Sequence, residues 1–197
     1  MTNVNKASLT RNTLETQITM SVDLAQGDGY GLRGSSGIGF FDHMLNSLAI
    51  HSRAVIGLEM NGDLNVDCHH TIEDVGIVLG KLLGGIANAR GSIVRYGTAH
   101  IPMDEALARC VIDISGRPYL VCDYSPKAPM IGAYDTQMTV EFFRAVAYNM
   151  GATLHISLLY GDNDHHCVEA IFKAFAHALA DAIALRDGAV LSAKGTL

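Results

Sequence analysis

The chain has 197 residues, 49% of them hydrophobic, 17% charged and 7% aromatic, with 20 Gly and only 4 Pro, a composition that excludes wholesale disorder and collagen-like structure. At this length a chain buries roughly 70% of the surface its unfolded form exposes, enough for a core that needs no disulfides. A formal charge of −6 with no run of Lys and Arg argues against a nucleic-acid partner, and apolar runs interrupted by Asp, Lys, Arg or His before roughly 18 residues predict no membrane span.

From Ser8 to Leu24, Thr, Ile and Val alternate with polar residues, which predicts one long half-buried strand. The glycine-rich stretch from Ala25 to Gly37 predicts a hairpin turn and a short returning strand. Apolar spacing then predicts a helix over Ile38 to Ile50, a strand over Arg53 to Leu58 and a long helix after Asp67. The second half has strands at Ile93 to Gly97, at Ala106 to Ile114 and in "GRPYLVCDY", a helix near Thr139 to Met150, a strand "TLHISLLY" and a last helix from about His165 to Ile183.

The two halves share more than element order. "FF" opens the shorter helix in each (Phe40 and Phe41, Phe142 and Phe143), a strand and a loop containing "GD" follow, and "HHxxE" opens each long helix. This pattern predicts an internal duplication. The expected fold is α+β: two pseudo-symmetric halves, residues 1–92 and 93–185, each with a mainly antiparallel sheet and helices on one face. Residues 186–197 are polar and read, by composition alone, as a disordered tail.

Nine histidines are the compositional anomaly. Within a helix, residues three or four apart share a face, whereas adjacent residues point about 100° apart. Glu73 can therefore lie beside His69 or His70, and Glu169 beside His165 or His166, while one ion cannot easily take both histidines of a pair. The spacing points to two metal ions, with each motif contributing to both. His43 in "FFDHML" and His155 in "TLHI", given an inward-facing role by strand alternation, complete a candidate set of His43, His69, His70, Glu73, His155, His165, His166 and Glu169. Eight ligands for two octahedral ions leave open positions, as a catalytic site requires. Imidazoles and carboxylates suit Mn, Fe, Co, Ni or Zn, and the ligand types do not choose among them. His51, His100 and His177 have no such partners in the pattern and read as surface or packing residues. Cys68, Cys110, Cys122 and Cys167 show no CxxC spacing, a pattern that suits the cytoplasm, and Cys68 and Cys167, which flank the histidine pairs, read as packing residues.

Read together, "GIGFFDHML", "DCHHTIEDVGIVLG", "IPMDEAL", "DISGRPYL", "TLHI", "NDHHCVEAIFKAFAHAL" and "SAKGTL" resemble the imidazoleglycerol-phosphate dehydratase family, over about Arg11 to Leu197 and in family order. The resemblance implies a duplicated fold of the ribosomal protein S5 domain 2-like type and monofunctional dehydration of imidazole glycerol phosphate to imidazole acetol phosphate in histidine biosynthesis. It further implies two manganese ions per active site, a 24-subunit assembly with sites between neighbours, and a cytoplasmic location. It matches Glu15 in "LETQI" to an acid of the site, Arg95, Arg117, Ser192 and Lys194 to a phosphate pocket, and the tail to a segment that closes over substrate. Two positions depart from the family pattern: Ala193, where Thr is usual, and His177, where Arg is usual.

The reaction removes a carbon-bound proton beside an imidazole and expels a hydroxyl, with no carbonyl to stabilise the carbanion. Two ions holding the ring as an imidazolate would supply the electron sink, and Glu15, Glu73 or Glu169 would be the general base. For a phosphate in a protein of net charge −6, Arg95, Arg117 and Lys194 with the Ser192 hydroxyl supply the local donors, and Asp104, Glu105 and Asp113 are candidates to orient those arginines or to shape turns. The alternatives are a non-catalytic metal-binding assembly and a dinuclear metallohydrolase.

Overall fold

The computed structural model describes residues 5–24, 27 and 29–188. The first half contains strands β1 (Lys6–Asn12), β2 (Thr16–Asp23), β3 (Gly31–Gly34) and β4 (Val55–Gly62) with helices α1 (Gly39–His51) and α2 (His69–Arg90). The second contains β5 (Tyr96–Met103), β6 (Ala106–Ile114), β7 (Tyr119–Asp123) and β10 (Ala152–Tyr160) with α3 (Met138–Met150) and α4 (Asp164–Ile183), plus a small ribbon of β8 (Met130–Ile131) and β9 (Tyr134–Asp135).

Strand order repeats between the halves. One sheet runs β1-β2-β4-β3 and the other β5-β6-β10-β7. In each, the first three neighbours are antiparallel and the last strand is parallel to the one it flanks. β2, β6 and β10 alternate buried and open positions, as strands with one covered face do. The helices cover that face, and they pack across the halves: α2 against α3, and α1 against α4. A single hydrophobic core results, from Ile18 and Met20 on β2 to Phe172 and Phe175 on α4. The α2–α3 contact is close because glycines recur every four residues. A Cβ at Gly80 would stand 2.6 Å from the Val146 carbonyl oxygen, and one at Gly84 2.9 Å from that of Met150.

Three expectations are corrected. The long strand from Ser8 to Leu24 is a hairpin, with β1 and β2 joined at Thr13–Glu15; alternation carries through a tight turn and hides it. β3 does not return along the strand before it but lies parallel to β4 at the opposite edge. The strand expected at Ile93 begins at Tyr96 instead, Ile93 making only an isolated bridge to Leu185.

Candidate active site

α4 begins where the Asn163 side chain accepts a hydrogen bond from the His165 N–H (2.9 Å), a standard N-cap. The Asp67 carboxylate does the same for the His69 N–H at the start of α2 (2.7 Å). Each HHxxE motif therefore opens its helix with a polar residue two positions ahead. On α4, His165, Glu169 and Lys173 follow at intervals of four and share a face. His165 Nε2 lies 3.3 Å from Glu169 Oε2, and Lys173 Nζ lies 2.8 Å from Glu169 Oε1.

α1 brings the third histidine. Asp42 turns back to the loop before α1, accepting from the Ser35 hydroxyl and the Ser36 N–H, so His43 faces α4. Its Nε2 stands 3.4 Å from Glu169 Oε2, and its ring centre 5.7 Å from that of His165. Phe40 meets the edge of the His165 ring at 4.9 Å, while Phe41 is fully buried against Phe142 at 5.4 Å. The "FF" pair thus serves the site with one ring and the core with the other. One ligand atom each from His43, His165 and Glu169 falls within 4.8 Å of the others, a donor set that suits a divalent transition metal. Glu169 is only 7% exposed. Burial pushes its carboxyl upward, but the Lys173 ammonium and His43 outweigh burial and hold it below the ordinary carboxylate value.

The second histidine of each motif is held by carboxylates in both halves, supplied from non-equivalent positions: the loop after β4 in the first and the β5–β6 turn in the second. His70 Nδ1 lies 2.9 Å from Asp63, with Glu15 3.7 Å from its Nε2. His166 Nδ1 lies 2.7 Å from Glu105, with Asp104 3.8 Å from its Nε2. A carboxylate on one imidazole nitrogen fixes the tautomer and leaves the other nitrogen for a metal. Hydrogen bonds to Asp63 and to Glu105 raise the pKa values of His70 and His166, and the His166 contact lowers that of Glu105 to about 2. Asp104 and Glu105, expected either beside the arginines or in a turn, form the β5–β6 turn and serve His166. The hairpin tip carrying Glu15 is fastened to α2 by Asp74, which accepts from both the Arg11 guanidinium and the Thr16 hydroxyl.

The arginines gather at the other end of α4. Arg95, 8% exposed, makes a paired contact with Asp113 (2.7 and 3.1 Å), and Arg117 Nη2 approaches the same carboxylate at 3.7 Å. Asp113 thus orients both arginines, as anticipated. The backbone N–H of Arg95 donates to the Ala182 carbonyl, thirteen residues beyond Glu169, or about 20 Å along α4. Ser192, Ala193 and Lys194 lie outside the described residues.

Of the eight candidate ligands, the chain by itself groups His43, His165 and Glu169. His69 lies 3.7 Å from Glu73, matching the His165–Glu169 pair, but neither joins that cluster. His69 also borders a cavity of about 470 Å³ whose lining, among the described residues, includes Ile38, Leu64, Asp67 and Met138 and no Lys or Arg. His155 is exposed on the face of β10 opposite the buried Leu154 and Ile156, so its inward-facing role is corrected. The alternation was visible, but which face the helices cover was not. Lys173 was missed by sequence reasoning, although its spacing of four from Glu169 was there to find. His51 and His177 were read as unpartnered, yet their nitrogens meet at 3.1 Å. All four cysteines are free, three of them buried.

The imidazoleglycerol-phosphate dehydratase family model matches residues 36–179. An imidazoleglycerol-phosphate dehydratase of Ruminiclostridium cellulolyticum is 52% identical over 192 residues, covering 96% of this chain and 97% of its own length. One from Clostridium botulinum (strain Langeland) is 49% identical over 193 residues, covering 97% of each. The solved structure of the Staphylococcus aureus dehydratase superposes with a TM-score of 0.83 at 42% identity, over 92% of this chain and 99% of that one. That from Pyrococcus furiosus gives 0.83 at 34% identity, over 96% and 100%. The structure adds the same two-halved α+β architecture, and on these grounds the chain belongs to the imidazoleglycerol-phosphate dehydratase family, hydro-lyases of histidine biosynthesis.

Proposed function

We propose that the chain dehydrates imidazole glycerol phosphate to imidazole acetol phosphate using two manganese ions per site, held by His43, His69, His70, Glu73, His155, His165, His166 and Glu169. The cluster of His43, His165 and the buried, ionised Glu169 is the observation that carries this reading. The carboxylates behind His70 and His166 support it, because they are placed as outer partners of metal-binding imidazoles. The ions, when bound, supply Lewis acidity that holds the substrate ring as an imidazolate and serve as the electron sink.

The protein's own groups divide the remaining work. Glu73 and Glu169, each beside the first histidine of its own motif, are assigned to the metals, and Glu15, on its braced hairpin 3.7 Å from His70 Nε2, is assigned to take the carbon-bound proton. Arg95 and Arg117, with Ser192 and Lys194, bind the phosphate; the fork of a guanidinium matches its oxygens.

We further propose that neighbouring subunits complete each site within a 24-subunit assembly in the cytoplasm. In one chain the arginine pair lies about 20 Å along α4 from Glu169, farther than a three-carbon chain spans between a ring and its phosphate. Leu14, beside Glu15 at the hairpin tip, is fully exposed at 104%, a position suited to insertion into a neighbour. The test is to strip the protein with chelator, restore manganese and follow imidazole acetol phosphate. Turnover that returns only with metal, and that Glu15→Gln abolishes while metal content stays unchanged, is expected. Full metal loading without turnover would overturn the reading.

A further inference from the structure

α1 and α4 run side by side in the same direction, and they bring histidines together twice. His43 meets His165 and Glu169. Eight residues beyond His43 on α1 and eight beyond Glu169 on α4, about 12 Å along, His51 Nδ1 meets His177 Nε2 at 3.1 Å, with ring centres 5.1 Å apart and ring planes inclined at 52°. Two imidazole nitrogens bound at about 2.0–2.1 Å to one zinc lie about 3.3 Å apart at tetrahedral positions, and about 2.9 Å apart at a right angle. The observed separation falls between these values, and both side chains reach solvent. The helices fix the pair: Leu48 and Ala49 before His51, and Ala176 and Ala178 around His177, are buried.

We propose that His51 and His177 form a second metal site, distinct from the dehydration centre and selective for late first-row ions such as zinc. In the metal-free protein one ring N–H donates to the other ring's nitrogen. Binding moves that hydrogen to the far nitrogen of its own ring, through solvent, so both lone pairs face the ion and no net proton is released. Two positions remain for water or an external anion. A pair of imidazoles with no carboxylate favours zinc, copper and nickel over manganese. The charged groups that act on His51 are Lys173 and Glu169, and they are bonded to each other at 2.8 Å. Burial, aided by His177 and Lys173, lowers the His51 pKa, which keeps its lone pair available at neutral pH.

The experiment compares wild type with His177→Gln by equilibrium dialysis against zinc at fixed free concentration, with metal counted per chain. Crystals of zinc-treated wild type are also measured at the zinc absorption edge. The expected result is one fewer zinc per chain in the variant, an anomalous peak between His51 and His177 in the wild type, and unchanged manganese-restored dehydratase activity in His177→Gln. Equal zinc counts, or no peak at the pair, would reduce the contact to a hydrogen bond and overturn the proposal. The zinc count and peak report on the pair whether or not the dehydratase reading holds, so the two fail separately. If the variant does not fold, the wild-type peak still decides.

Discussion

Replacing Asp74 isolates the brace between the Glu15 hairpin and α2. Its carboxylate is almost buried, with 8% side-chain exposure against 27% for its partner Arg11, and it also takes the hydroxyl of Thr16, which is 0% exposed. In Asp74→Ala the Thr16 hydroxyl keeps only a long contact to Thr13 (3.3 Å), which costs about 1–2 kcal/mol for an under-satisfied buried group. Arg11 loses a charged partner, but its partial exposure lets water return, so about 1–2 kcal/mol applies rather than the about 3–5 of a fully buried broken pair. The sum is about 2–4 kcal/mol, which for a chain of this size lowers Tm by roughly 5–15 °C. Asp74→Asn keeps an acceptor and should lose about half as much. Urea unfolding of wild type, both variants, Arg11→Met and the double variant Arg11→Met/Asp74→Ala, at one protein concentration and one metal concentration, measures the coupling. A loss under about 1 kcal/mol in Asp74→Ala, or strict additivity with Arg11→Met, would refute the brace.

Other consequences are as direct. His70 and His166 have pKa values raised above 6.5, so their contribution is complete below pH 6.5 and is lost as pH rises through the raised values. Glu105, lowered to about 2, contributes above about pH 4.5 and loses this as pH falls toward 2. Melting of chelator-treated protein should therefore weaken as pH rises above about 6.5, and Glu105→Gln should flatten that slope; an unchanged slope would count against the His166 pair. Gly80→Ala gains about 1 kcal/mol of helix propensity but must displace the Val146 carbonyl oxygen, 2.6 Å from the new Cβ, at a cost of about 1–3 kcal/mol or more. Its thermal melt should show net destabilisation, and a rise in Tm would show that α3 yields. Glu169→Gln should cost both metal and stability, because it leaves the Lys173 ammonium, 18% exposed, without its carboxylate; metal analysis and melting in chelator separate the two losses.

Local pattern made most elements legible. The predicted helices at Ile38, Thr139 and His165 start within a residue or so of α1, α3 and α4, because amphipathic spacing is a property of consecutive residues. The hairpin at Thr13–Glu15 was not legible, since alternating residues look alike whether the chain continues or reverses. The site divides in the same way. The pairing of His165 with Glu169 on one helix face follows from 3.6 residues per turn. The meeting of His43 with Glu169 needs 126 residues of intervening chain to fold.

The roles of neighbouring carboxylates show the limit most sharply. Glu73 and Asp74 are adjacent in "HHTIEDVG", yet one lies beside His69 and the other ties down a hairpin. The sequence alone determined the duplication, the helix-opening motifs, the chemical types of the candidate ligands and, through shared strings, the family. Tertiary structure alone decided that α1 packs on α4 rather than on the long helix of its own half, and that packing chose which histidines meet. Periodicity sets which residues share a face, but which two faces are pressed together depends on burying the whole apolar surface at once.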